Sequence, residues 1–409
     1  MQFIDLFAGA GGLSEGFKRA GFNPVAHVES NTSACFTLRT RAAYYYLKSQ
    51  NQIETYHKYL KGGITRKDFY KSIPKEILDT VINEKIGEET NEAIFNKIDL
   101  LKGEEEVDLI IGGPPCQAYS ITGRSALKHK KDDPRKKLYK EYGKYLLRYK
   151  PKLFVFENVP GLKSSDEGIH YRELREYFTS IGYRIDDRQL NAWDFGVIQN
   201  RERLIIIGWR EDITFEYPEF EAVINNWSSS DLFNDLPPLK PNQGARWCNY
   251  QSDKSDYLDN HNIRNGIDFT TLHVTRPHNE KDLNIYSMAI DQMAEGKRIK
   301  NSEIDERDRT QKNTTDFLDR FKVVGIVPHT MIAHIANDGH HFIHPDKTQL
   351  RSISVREAAR IQSFPDDFYF EGMIESKNRT AAFRQIGNAV PPLMAQQIAE
   401  RLLPIFNGN

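Results

Sequence analysis

Cys116 is the side chain around which chemistry can be organised. It follows the stretch Asp108-Leu-Ile-Ile-Gly-Gly-Pro-Pro115. Val107 to Ile111 is β-branched and aliphatic, which predicts a short buried strand. Gly112, Gly113, Pro114 and Pro115 stop that strand and fix the backbone after it. The thiol therefore stands at a strand's carboxyl end, where open α/β sheets take their ligands. A cysteine that merely packs as a small apolar residue needs no such approach, so the reading is a positioned nucleophile. Two further groups fall in similar places. Lys152 to Phe156 is an apolar strand ending on Glu157, which should point into the same crevice. Gln199-Asn-Arg-Glu-Arg203 runs straight into the strand Leu204 to Ile207, and a period of two puts Gln199, Arg201 and Arg203 on one face.

These groups need a frame, and the sequence predicts an α/β one. Gln2 to Phe7 reads as a strand that opens into Ala8-Gly-Ala-Gly-Gly12. Leu13, Phe17 and Ala20 follow at helical spacing, and Gly21 ends that helix. Strand, glycine loop and helix bring a ligand against backbone N–H groups. Gly9, Gly11 and Gly12 depart from GxGxxG, so a nicotinamide cofactor is not the first choice. Pro24 to Glu29 is the second strand, and an acid at its end takes the ribose hydroxyls of an adenosine ligand. Asn31 to Thr40 predicts a helix. Lys97 to Leu100 reads as a short strand whose Asp99 could take an adenine amino group. Residues 41–97 read as an inserted, mostly helical segment with strongly charged, solvated faces.

After Cys116 comes Lys128-His-Lys-Lys-Asp-Asp-Pro-Arg-Lys-Lys137, six Lys/Arg against two Asp. Hinged by Gly123 beside a reactive cysteine, it reads as a loop that grips phosphates. The chain as a whole is nearly neutral, 56 Lys+Arg against 57 Asp+Glu, so only such local clusters speak for a polyanionic ligand. Three cysteines without CxxC pairing argue against a disulfide scaffold or a zinc site. His334, His340, His341 and His344 are unevenly spaced and lack a cysteine partner, so no metal is expected. No apolar run approaches membrane-spanning length, and a cytoplasmic protein without a membrane partner is the expectation. Residues 211–350 lose the buried strands and become rich in turns, as a second, irregular domain. Regularity returns at Ser352 to Pro365, with Ser354 as N-cap and Glu357 as its capping-box partner. The last helix runs from Ala395 to Leu403.

Taken together the chain resembles the DNA (cytosine-5)-methyltransferases of restriction-modification systems. The matching segments are Asp5-Leu-Phe-Ala-Gly-Ala-Gly-Gly12, Gly113-Pro-Pro-Cys-Gln117, Glu157-Asn-Val159, Gln199 to Arg203, Arg351 to Phe364 and Gln385-Ile-Gly-Asn-Ala-Val390. They stand in the family's order along nearly the whole chain. The resemblance implies a doubly wound, Rossmann-like sheet that binds S-adenosylmethionine, with a smaller, irregular target-recognition domain. It divides the chain into a catalytic domain at 1–210 (with the 41–97 insertion), target recognition at 211–350, and a return at 351–409 that completes the cofactor pocket. It implies cofactor contacts at Phe7, Gly9, Ala10, Gly11, Gly12, Glu29, Asp99, Pro114, Asn388 and Val390. About seventy residues separate Glu29 from Asp99, more than in compact members of the family.

The same resemblance implies double-stranded DNA as substrate, a monomeric enzyme and a cognate restriction endonuclease acting on the same site. Its chemistry places Cys116 on C6 of a flipped-out cytosine, Glu157 at N3 and Arg203 at O2, with Arg201 beside it in the catalytic set. Gln117, Ser120, Thr122 and Arg124 near the basic loop, with Arg276 and His340 of the second domain, are the expected DNA contacts. Three other readings are weighed. A tRNA methyltransferase of the same fold would carry Cys-Phe-Thr in the recognition region, whereas here Cys35-Phe-Thr37 lies elsewhere. A catalytically silent DNA-binding homologue conflicts with the presence of Cys116, Glu157 and Arg203. A nicotinamide oxidoreductase conflicts with the glycine spacing.

Overall fold

The computed structural model describes residues 1–115, 137–310 and 321–406. Five parallel strands form most of one sheet: β1 (Gln2–Leu6), β2 (Asn23–Glu29), β3 (Val81–Asn83), β4 (Leu109–Gly112) and β5 (Leu153–Asn158). β6 (Tyr183–Asn191) and β7 (Glu202–Arg210) complete it, β7 pairing antiparallel with both β5 and β6, in the order β3-β2-β1-β4-β5-β7-β6. A separate two-stranded ribbon pairs β8 (Trp247–Asn249) with β9 (Phe269–Thr271). The order reverses between β1 and β4, and a ligand crevice opens at that switch.

The strands alternate as a sheet covered on both faces requires. Phe3, Leu109, Ile111, Val155, Ile205 and Ile207 face one layer. It holds α1 (Gly12–Arg19) and the carboxyl-terminal helix Pro392–Phe406. Ile4, Leu6, Ile110, Phe154, Phe156 and Ile206 face the other, where Asn91–Lys102, Leu138–Tyr149 and Ile169–Ser180 lie. α1 starts from Gly11 in the left-handed region (φ 82°) and stops at Ala20 before Gly21 (φ 98°). α2 (Thr32–Ser49) is capped by Asn31, whose side chain accepts from the Ala34 amide at 3.1 Å. The expected capping box is present: Glu357 accepts from the Ser354 amide at 2.6 Å and Ser354 from the Glu357 amide at 3.2 Å.

The 41–97 segment departs from expectation in two ways. Val81–Asn83 belongs to the sheet, so the added material is confined to the stretch before it. That material is also not a solvated surface. Helices α3 (Ile53–Leu60) and α4 (Arg66–Lys71) bury Tyr56, Tyr59, Leu60 and Phe69 fully, within one core that also holds Phe269, Leu272, Phe342, Phe364 and Phe383. The aromatic side chains outweigh the charges between them: most of these face outward, while Arg66 turns in to pair with buried Glu371. The region from 211 to 350 shares that core.

This part of the interior is tied by arginines. Arg360 is fully buried and meets Asp366 (Nε 2.9 Å, Nη2 2.6 Å) and Asp235 (Nη2 3.1 Å). Arg351 grips Glu357 through both terminal nitrogens at 2.7 Å. Arg356 donates to Thr271 O, Pro365 O and Phe368 O. Arg41 holds Glu15 and Asp367. Burial alone would raise Glu15, but Arg41 overrides it and holds the carboxyl at about 2. Among the described residues no helix is long and apolar enough to cross a membrane.

Arg360→Met is expected to cost about 3–5 kcal/mol in urea unfolding, because Asp235 and Asp366 stay buried without their cation. An unchanged midpoint would contradict this. Glu15 supplies a pH-dependent term: its folded value lies below the ordinary 4.5, so its stabilisation is complete above 4.5 and is lost as pH falls towards about 2. Glu15→Gln should therefore be less stable than the parent at pH 7, with the gap closing across that window.

Candidate active site

The site is built at the carboxyl ends of β1, β2, β4 and β5. After β1 the chain turns through Phe7 (φ 56°) and Gly9 (φ 55°), and Gly11 begins α1. A bulky residue at positive φ is strained backbone, of the sort retained around ligands. The Gly9 amide donates to Glu29 Oε2 at 2.8 Å and the Asn31 amide to Glu29 Oε1 at 2.7 Å. The carboxylate at the end of β2 is thus fixed against the glycine loop. Below the loop Asp5 is 1% exposed and its Oδ2 has no hydrogen-bond partner. Burial, and then the Glu29 charge, push the Asp5 carboxyl well above its ordinary value.

These groups line a cavity of about 460 Å³ that also takes in Phe7, Ala10, Gly12, Pro114, Glu157, Asn388 and Val390. One wall comes from the far end of the chain. A Cβ on Gly12 would lie 2.2 Å from Val390 O, so glycine alone allows the return segment to close over the loop. Gly11 lies behind the cavity, where a Cβ would meet Leu38 Cδ2 at 2.7 Å. β4 and β5 meet as closely: a Cβ on Gly113 would lie 2.5 Å from Glu157 Oε2. Asn158 Nδ2 donates to Pro114 O at 3.3 Å, coupling the two strand ends. Glu157 Oε1 and Arg203 Nε form an ion pair at 2.7 Å, and Arg203 Nη1 donates to Glu202 O. A carboxyl and a guanidinium therefore meet beside the cavity.

Gln199 and Arg201 are not aligned with Arg203 on a strand face, because β7 begins only at Glu202. Both are fully buried. Arg201 donates to Met331 O, Gly387 O and Ala389 O. Gln199 accepts from the Met331 amide at 2.7 Å and donates to Ile361 O and Gln362 Oε1. The pair pins the second region and the return segment to the sheet. Asp99 is placed elsewhere than expected. Residues 91–102 are helical, and Asp99 pairs with Arg148 outside the cavity. The residues after β3, Glu84, Lys85 and Ile86, line the cavity instead. The β-branched pair Val81-Ile82 was the available signal. Exposed Arg384 on helix Arg379–Asn388, also missed, stands on the opposite wall.

Arg276 and His340 lie in the interior. Arg276 donates to Asn337 O and Ile335 O, and His340 Nδ1 lies 2.8 Å from the Tyr286 hydroxyl. As placed, neither reaches the surface where a base edge would be met. Among the described residues no group of three or more His, Cys, Asp or Glu could hold a metal ion. Cys116, Gln117, Ser120, Thr122, Arg124 and all of the basic loop but Lys137 lie outside the described residues.

A family model described as C-5 cytosine-specific DNA methylase matches residues 1–61 and 65–403. The chain is 42% identical over 450 aligned positions to the type II methyltransferase M.Bpa9945I of Bacillus paralicheniformis, with both chains wholly covered. It is 29% identical over 426 positions to the type II methyltransferase M.DdeI of Desulfomicrobium norvegicum, covering 100% of this chain and 90% of that one. Among solved structures, a prophage-encoded DNA modification methyltransferase of E. coli superposes with a TM-score of 0.65 at 22% identity, covering 100% of this chain and 99% of that one. DNMT2 of Spodoptera frugiperda gives 0.52 at 15%, covering 98% and 99%. Identities this low speak for the fold alone.

Gly12→Ala is expected to destabilise the chain by about 1–3 kcal/mol, since a backbone carbonyl must move to admit the methyl group. Gly21→Ala is the control, because space around that position is open and only its positive φ resists. Loss of the Val390 contact should show as faster proteolysis of the carboxyl-terminal helix in Gly12→Ala alone.

Proposed function

This chain belongs to the C-5 cytosine-specific DNA methylase family, and on that premise we propose how its residues methylate cytosine. It is a DNA (cytosine-5)-methyltransferase of the kind found in restriction-modification systems. The proposed substrate is a specific double-stranded sequence, protected from a cognate endonuclease. The observation that carries the mechanism is the Glu157–Arg203 pair, held at 2.7 Å on the rim of the cavity.

The cavity fits S-adenosylmethionine. Glu29, turned by the Gly9 and Asn31 amides, is set to receive ribose hydroxyls, and Ile86 offers an apolar wall for the adenine. Asp5 Oδ2, which has no hydrogen-bond partner and lies 3.8 Å from His27 Nδ1, is suited to the ammonium of the amino-acid moiety. Phe7, Gly9, Ala10, Gly12, Pro114, Asn388 and Val390 supply the remaining walls, while Gly11 shapes the loop from behind. When bound, the cofactor supplies an electrophilic methyl group on a sulfonium. Asp99 has no part in this pocket.

Cytosine C5 is a weak nucleophile until the ring's aromaticity is broken. The Cys116 thiolate adds to C6 for that purpose. Charge then builds at N3 and O2. Glu157 faces N3, while Arg203 holds Glu157 and covers O2. C5 takes the methyl group and gives its proton to a general base; the C–H electron pair restores the C5–C6 double bond as the C6–S bond breaks and Cys116 leaves as a thiolate. Arg201 acts as a positioning residue, because its donors are committed to Met331, Gly387 and Ala389. The base must leave the stack, at a cost of a few kcal/mol. Phosphate contacts from the loop at Lys128 to Lys137, with Gln117, Ser120, Thr122 and Arg124, offset that cost. Residues 211–350 choose the sequence, with Arg276 and His340 shaping that region from inside.

Cys116→Ser should retain cofactor binding and lose turnover, and duplexes with 5-fluorocytosine in the target should trap an adduct on Cys116, read by mass spectrometry. Tritiated S-adenosylmethionine offered with duplex DNA or tRNA should label DNA alone, and bisulfite sequencing should show one methylated sequence; label in tRNA only would overturn the assignment. Asp5 adds a pH signature. Its raised value means that ionisation, and with it cofactor affinity, increases as pH rises through that value. In Asp5→Asn calorimetry should find weaker binding with a flatter pH dependence.

A further inference from the structure

Behind the glycine loop lies a second cavity of about 550 Å³, between α1, β2 and α2. Ile77 and Thr80, from the stretch before β3, border it, and it shares only Ala10 with the cofactor pocket. Helices that interlock their ridges approach to about 8–10 Å, and protein interiors leave few voids larger than a water molecule. α1 follows that rule on its other side: a Cβ on Gly16 would lie 2.4 Å from Ala395 Cβ of the carboxyl-terminal helix. Towards α2 the spanning contacts are made by long side chains. Arg41 Nε and Nη2 donate to Glu15 Oε2 and Oε1 at 2.8 and 2.6 Å, and the Tyr45 hydroxyl donates to Oε1 at 3.0 Å. The buried ion pair bridges the two helices beside the cavity.

The space has a definite chemistry. Tyr45, Tyr46 and Phe368 bring three aromatic rings to its wall. Lys18 and Lys48 are the two lysines on its lining, Lys48 at the exposed edge. Lys18 Nζ donates to Asn23 Oδ1 at 2.7 Å and Lys48 Nζ to the Tyr44 hydroxyl at 3.1 Å, both neutral acceptors. Among the described residues the one carboxylate on the wall is Glu15, and Arg19 and Arg41 already neutralise it. Burial draws the Lys18 ammonium below its ordinary value, with Glu15 opposing in part. An incoming anion would favour that charge, and flat rings suit an aromatic guest.

We propose that this cavity is a binding site for a small aromatic anion, its ring among Tyr45, Tyr46 and Phe368 and its charge on Lys18 and Lys48. Cavities of about 300–1,000 Å³ hold ligands of this size. A nucleoside monophosphate and an aromatic carboxylate share the chemistry, so both serve as probes. The full-length chain is first saturated with S-adenosylhomocysteine, which fills the cofactor pocket, and then titrated calorimetrically with AMP, 4-hydroxybenzoate, adenosine and inorganic phosphate. One of the first two should bind with one site per chain. Adenosine, which lacks the anion, and phosphate, which lacks the ring, should bind at least about tenfold more weakly. Lys18→Met with Lys48→Met should weaken that binding by about tenfold or more while leaving the melting temperature and S-adenosylhomocysteine affinity unchanged. Which probe binds identifies the source. No saturable binding of either up to about 5 mM, or binding equally tight in the double variant, would overturn the site; the latter is also what spill-over into the cofactor pocket would look like.

Discussion

The Arg201 guanidinium is where the molecule is closed. It is fully buried, and it donates to Met331 O, 130 residues along the chain, and to Gly387 O and Ala389 O, 186 and 188 residues along. A charge placed there is tolerable only because oriented carbonyl dipoles surround it. The return segment that walls the cavity at the strand ends is held by this junction. It sets Ala389 and Val390 above Gly12, and it holds the segment that leads into Arg203. Gln199, two residues earlier, repeats the arrangement with Met331, Ile361 and Gln362. The segment before β7 is therefore the place where sheet, second region and return segment are brought into register.

The same device recurs across the interior that joins the added segment to the return. Arg351, Arg356, Arg360 and Arg41 are buried, each with carboxylates or carbonyls around it. Such groups stabilise less than apolar packing of equal volume, since both ions are desolvated. Their contribution is directional. Apolar side chains from irregular loops could pack in several ways, whereas a bidentate arginine accepts one arrangement of its acceptors. In a region short of regular strands, that constraint substitutes for the hydrogen-bond ladder that sets register in a sheet.

The parts legible in the sequence are those whose function is local. β1 with its glycine loop, Glu29 at the end of β2, Gly113 and Pro114 after β4, and Glu157 after β5 could each be read from a few consecutive residues, and they meet around one cavity. Asn388 and Val390 came to the pocket through family resemblance, since nothing local says that they fold back over Gly12. The failures share a cause. Lys97 to Leu100 is short and ambiguous: it reads as a strand ending near Asp99, whereas the chain carries it inside the helix Asn91–Lys102. Val81-Ile82 is too brief to announce a strand beside so many charges. Arg201, Arg276 and His340 look like surface donors in one dimension, and only the fold reveals that backbone carbonyls surround them. Tyr56, Tyr59 and Phe69 stand among lysines and glutamates that are exposed.

The closure of the return segment over the glycine loop also sets a clock. A ribosome adds about 5–20 residues per second, so the loop at Gly9 to Gly12 waits on the order of 20–80 s for Val390 to follow it. During that interval β1 to β7 can pair, yet one wall of the cofactor pocket has not been made. A nascent or interrupted chain that lacks Val390 is thus a sheet with an open crevice, and that wall closes only after residue 390 has been made.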